Sequence, residues 1–159
     1  MVLRMWSTVP ASSVLSRCCD KIMNIPTDQE FSKLIGQALD ELPEKYISRL
    51  SNVLITYEDE PTPEQHTKLG LRCNQSLFGL YEGIPLPARI GRNASGVVHL
   101  QLPDKITLFK LPLFHYANGN EEKFKAQIKH TLWHEIAHYF GLDHDRIHQL
   151  EQLNTNALQ

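Results

Sequence analysis

The stretch from His134 to His144 reads H-E-I-A-H-Y-F-G-L-D-H, and its spacing decides what the rest of the chain must support. In a helix, His134 and His138 are separated by about 400° of rotation and about 6 Å of rise, so both rings leave one face a turn apart. Two imidazole nitrogens so placed reach one Zn²⁺ at about 2.0–2.1 Å. Glu135 stands one step round, beside the ligand face, where a carboxylate reaches a water held by the metal. Gly141 suits the residue just past a helix end, which often needs a positive φ. The turn then brings His144 back as third metal ligand. A fourth position left for water is the arrangement of a catalytic rather than a structural zinc site. A bare H-E-x-x-H recurs by chance in charged helices; the added G-x-x-H makes this stretch far more specific for a metal.

Upstream of the motif, Phe124, Ile128, Leu132 and Ile136 recur at helical spacing, predicting one long helix from about Glu121. His130 lies on the same face, one turn before His134, but a His130–His134 pair leaves Glu135 badly placed. His130 is therefore read as a surface or supporting ring, and His148 as solvated. Asp143 and Asp145 flank the third ligand, as substitutes for it or as partners of a ligand imidazole, with Asp145 assigned the second role. Cys73 has no Cys or His nearby in sequence and reads as a small core residue. Trp133, Tyr139 and Phe140 read as packing residues. Tyr139, Arg146 and His115 are alternatives for a group that stabilises a developing oxyanion, and the sequence does not choose among them.

Further out, Thr27 to Glu30 is a T-x-x-E capping box, so a helix is predicted to start near Asp28 with Phe31, Leu34, Ile35, Ala38 and Leu42 inside. Pro43 to Leu50 predicts a second short helix. Val53, Ile55 and Tyr57 alternate, predicting a strand over residues 52–58. Thr62 to Gln65 predicts a further helical turn up to Gly70. Strands are predicted at Leu77 to Glu82 and Lys105 to Lys110, with a hairpin arm over Val97 to Leu102. Pro85, Pro87, Gly91 and Gly96 mark an irregular stretch that also holds Arg89 and Arg92. Pro112 to Asn120 reads as a loop. A last helix from Asp143 towards Leu153 buries Ile147 and Leu150. The sum is one α+β domain with a small mixed sheet packed on the helix that carries the motif.

The 159 residues suit a single domain over residues 25–159, preceded by a flexible extension over 1–24 that carries Arg4 and Arg17 but no acid before Asp20. A net charge of -2 argues against a nucleic-acid surface, and no apolar run is long enough for a membrane span. Cys18, Cys19 and Cys73 are a poor disulfide framework and fit a reducing compartment.

Several landmarks carry a resemblance: A-L-D-E-L-P (Ala38 to Pro43), N-V (Asn52, Val53), E-D-E-P-T-P (Glu58 to Pro63), L-F-G-L-Y-E-G-I-P-L (Leu77 to Leu86), L-P-D-K-I-T-L-F (Leu102 to Phe109) and T-L-W-H-E-I-A-H-Y-F-G-L-D-H-D-R-I (Thr131 to Ile147). From Phe31 onward the chain resembles the small bacterial zincin-like metallopeptidases, or minimal zincins. The resemblance implies a compact single-domain α+β zincin-like fold, one Zn²⁺ ion and a cytoplasmic bacterial protein. It carries the ligand role onto His134 and His138 and the base role onto Glu135. Many relatives are expected to carry Asp where this chain has His144, so the third ligand rests on spacing. That His makes the motif look like a metzincin triad. Yet the methionines, Met1, Met5 and Met23, all lie upstream, and the Met-turn of metzincins is missing.

The function expected is hydrolysis of peptide bonds by a zinc-activated water, with Glu135 as general base. The partner expected is a peptide or protein substrate, without nucleic acid or membrane, acted on by a monomer. One of the strands beside the motif helix is expected to pair with an extended substrate. Two other functions compete. One is a metal-dependent endoribonuclease of the YbeY type, whose motif ending G-L-D-H resembles. The other is a non-catalytic zinc-binding module. Glu135 argues against both.

Overall fold

Thr27 starts the first helix as its sequence predicts. Its side chain accepts from the Glu30 N–H at 3.3 Å, and the Glu30 carboxylate accepts from the Thr27 N–H at 2.8 Å. Two of the N–H groups that a helix start leaves unmatched are thus satisfied. In a computed structural model of the chain, the described residues are 2–8, 24–70, 75–89, 102–143, 145–147 and 149. They form β1 (Val2–Thr8), α1 (Asp28–Asp40), α2 (Glu44–Ile47), β2 (Val53–Glu58), α3 (Pro63–Leu69), β3 (Gln75–Glu82), α4 (Leu86–Arg89), β4 (Asp104–Phe109), α5 (Lys110–Ala117) and α6 (Glu121–Tyr139). The fold is α+β. Its sheet is mixed, in the order β1-β3-β4-β2, with β3 antiparallel to both neighbours and β2 parallel to β4.

Most predicted elements appear within a few residues of their expected bounds, and three differences have physical causes. Val2–Thr8, expected to belong to a loose tail, form strand β1 along the edge of β3. Residues 9–23 lie outside the described residues, as do the expected hairpin arm up to residue 101 and Leu150 of the last helix. The stretch expected to be a loop after Lys110 is helix α5. Pro112 falls in its first turn, where a helix has no use for the missing N–H. The single turn α4 interrupts the irregular stretch at Leu86.

The core is built where α1 and α6 cover one face of the sheet. Phe31, Ile35 and Ala38 of α1 meet Phe124, Ile128, Leu132, Ile136 and Tyr139 of α6, with Phe78, Tyr81, Ile106 and Leu108 beneath. Each large apolar side chain so buried contributes about 1.5–3 kcal/mol, which outweighs any helix preference of α6 itself. Leu69, Leu77, Leu80 and Phe109 form a smaller cluster. Lys110, almost buried, holds Asp28 at 2.6 Å and Asp59 at 2.7 Å. Those hydrogen bonds raise its pKa and tie the start of α1 to the segment after β2.

The pairing of β1 with β3 slips by one residue near its middle. Arg4 pairs with Leu80, but Trp6 pairs with Leu77, so Phe78 and Gly79 together oppose Met5. Two residues against one is a β-bulge. It explains why Phe78 and Tyr81, three residues apart, share one core cluster although strand periodicity is two.

Candidate metal centre

α6 carries His134 and His138 on one face, as the four-residue spacing requires. Their ring centroids are 4.8 Å apart with planes at 82°, and both residues are buried. His130 stands further off, 6.2 Å from His134, and is only half-buried. The close pair is therefore the one expected from the motif.

The helix end then fixes one ring. Gly141 adopts φ +80°. Its N–H donates to His138 O at 3.0 Å, and the Leu142 N–H donates to Ala137 O at 3.1 Å. This is the two-bond helix stop that a left-handed residue makes possible. It leaves the Leu142 carbonyl 3.0 Å from His138 Nδ1. A carbonyl only accepts, so Nδ1 carries the proton and Nε2 keeps its lone pair for a metal. A Cβ on Gly141 would stand 2.8 Å from Pro87 Cγ, so the segment after β3 packs tightly on this stop.

Glu135 is fully buried, and neither carboxylate oxygen has a hydrogen-bond partner among the described residues. Desolvation pushes its pKa well above the usual carboxylate range. The Tyr81 backbone N–H offsets part of this without a bond of normal geometry. β3 comes so close here that a Cβ on Gly79 would lie 2.6 Å from Thr131 Cγ2 and 2.9 Å from Glu135 Cγ and Oε1. A buried charge without partners is costly. Two imidazoles with a ring nitrogen each to offer are ligands of a type that zinc accepts, and the carboxylate stands beside them.

His144 lies outside the described residues, as do His148 and Cys73. Among the described residues no third His, Cys, Asp or Glu joins the pair. Asp143 is exposed, and its carboxylate accepts from the Arg146 N–H at 2.9 Å, starting the turn that buries Ile147. Asp145, Arg146 and His115 are exposed. Tyr139 accepts from the Ser51 N–H at 3.2 Å and donates to the Ser51 carbonyl at 3.4 Å, so its hydroxyl is spent on the α2–β2 connection. Trp133 packs edge-on against Tyr46 at 4.7 Å.

Comparison with known families bears on this geometry. A family model described as a zincin-like metallopeptidase matches residues 50–153, well over half of the chain. The chain belongs to the zincin-like metallopeptidase family. The match runs from the start of β2 through the whole of α6, so the zincin-like portion holds both histidines, Glu135 and Gly79, while β1, α1 and α2 precede it. Zinc and peptide hydrolysis are what this family points to. A search of curated proteins returns no match.

Two features of the zincin-like site go beyond the sequence reading. One is Gly79, which that reading places in a strand without further role, although an isolated Gly within apolar residues signals a bulge or a close backbone approach. The second is a buried cluster behind α6. Arg89 pairs with Asp104, Tyr81 Oη donates to Asp104 Oδ2 at 2.8 Å, and Arg89 Nε donates to Ile84 O at 2.7 Å. The Arg89 guanidinium also lies 5.0 Å over the Tyr139 ring. Burial, with the Asp104 carboxylate beside it, raises the Tyr81 pKa and keeps the phenol a donor. The cluster ties α4 to β3, β4 and the last turn of α6. No local pattern in the sequence signals it.

Proposed function

We propose that this chain is a zinc-dependent peptidase that holds one Zn²⁺ through His134, His138 and His144 and uses Glu135 as general base. The observation that carries the reading is the fully buried Glu135 carboxylate, without a hydrogen bond of normal geometry, on the same helix as two closely set imidazoles. Bound zinc supplies a Lewis acid that polarises the scissile carbonyl and lowers the pKa of water.

The chain's own groups do the rest. Leu142 O holds the His138 tautomer that presents Nε2. Glu135, one residue from His134 on the same helix, is the carboxylate placed to take a proton from the attacking water and pass it to the leaving amine. Gly79 lets β3 approach that carboxylate closely and fix its position. The substrate in this reading is a peptide or protein, with a monomer acting in the bacterial cytoplasm as the family resemblance implies. Among the described residues no helix is long and apolar enough to cross a membrane.

The test is digestion of a peptide library by the zinc-loaded chain, with products read by mass spectrometry. Cleavage is expected, lost with a chelator and restored by added zinc. Cleavage that continues in chelator, or RNA cleavage with no peptide product, overturns the reading.

A further inference from the structure

Glu135 and His138 have no exposed surface in the folded chain, and His134 has 2%. β3 lies directly against this cluster, with Gly79 next to Glu135. Among the described residues, β3 and β4 each pair with two strands, whereas β1 pairs with β3 alone and approaches α6 from the sheet's edge. Removing β1 therefore breaks one ladder and leaves the β3–β4 pairing in place. Its register supplies the second observation. Met5 lies opposite the Phe78–Gly79 bulge, and Gly79 is the residue that abuts Glu135. The middle of β1 is thus level with the carboxylate, extended and antiparallel to β3.

An unpaired β3 edge is a template for any extended chain, because the N–H and C=O groups along it bind backbone irrespective of side chains. We propose that β1 is an internal occupant of the substrate strand's place, keeping the β3 edge beside the zincin site filled until it leaves, and that the substrate class is an extended peptide that replaces it. This rests on the peptidase reading above for what happens after exchange, but not for the exchange itself.

Ser7 pairs with Ser76, away from the bulge. Directly opposed residues of antiparallel strands have Cα separations of about 4.5–5.5 Å, within disulfide range. The lock is Ser7→Cys with Ser76→Cys in the full chain, with Cys18, Cys19 and Cys73 changed to Ser. The release is Leu3→Pro with Arg4→Pro. N–H groups alternate sides along an edge strand, so one of these two must bond to β3, and proline removes it. Binding of a labelled Val2–Thr8 peptide is read by fluorescence anisotropy, with Glu135→Gln added to prevent cleavage.

The oxidised lock is expected to lose peptide binding and at least tenfold in kcat/KM, with reduction restoring both. The proline pair is expected to gain at least tenfold in binding. Oxidised and reduced locks that bind and cleave alike overturn the proposal and leave the peptidase reading standing. Binding that follows the lock while no form cleaves any peptide supports strand exchange and overturns the peptidase reading instead.

Discussion

Glu135→Gln is expected to lower kcat by about 10³-fold while zinc remains bound, because a positioned acid or base typically contributes 10²–10⁴ in rate. The amide keeps the size of the side chain and cannot take a proton. It also removes an acid that the fold buries without a hydrogen bond of normal geometry. The zinc-free variant should therefore unfold at a temperature equal to or above that of the parent at neutral pH, since an acid whose pKa folding raises loses stability as pH climbs past its ordinary value and an amide does not. Loss of activity with gained stability is the signature of a group kept for chemistry at a cost to the fold. Kinetics on one cleaved peptide, zinc content and a thermal melt check all three. A variant that turns over like the parent removes Glu135 from the mechanism. A variant that melts well below the parent makes the carboxylate a structural group instead.

Gly79→Ala is the second large effect. The added methyl would lie 2.6 Å from Thr131 Cγ2 and 2.9 Å from Glu135 Cγ and Oε1. Thr131 and Glu135 sit one turn apart on α6, both fully buried. Rotating one side chain does not clear the contact, so β3 and α6 must separate. Overpacking of this kind costs about 1–3 kcal/mol, read as a lower denaturant midpoint. The same separation moves Glu135 relative to the two imidazoles. Misplacement by about 1 Å typically costs on the order of 10²-fold in rate, so kcat should fall together with stability. A Gly79→Ala chain as stable and as active as the parent would show that β3 does not set the position of the carboxylate.

Local chemistry makes much of this fold legible. The Thr27–Glu30 and Thr62–Gln65 boxes mark helix starts because their hydrogen bonds join residues three apart. The apolar positions of α6 show themselves because one face must meet the core. Gly141 reveals the helix stop because few other residues adopt its φ. The hidden parts depend on distant partners. β1 is seven residues without a turn signal, and its strand character comes from β3, some seventy residues later. Arg89 and Asp104 look like loop and strand-end charges until the fold brings them together behind Tyr81. Pro112 reads as a helix breaker, yet its place in the first turn of α5 makes it harmless. At the candidate site the placing of His134 and His138 on one helix face, with Glu135 beside them, is legible from spacing. The close packing of Gly79 on that carboxylate is not, because it comes from another element.

The most direct test of the metal centre is X-ray absorption at the zinc edge, measured on the full chain and on the His134→Ala, His138→Ala double variant. The expected result is one zinc per parent chain with imidazole nitrogens at about 2.0–2.1 Å, and none retained by the double variant. Sulfur in the parent's coordination shell, or zinc held equally well after both histidines are removed, would contradict it.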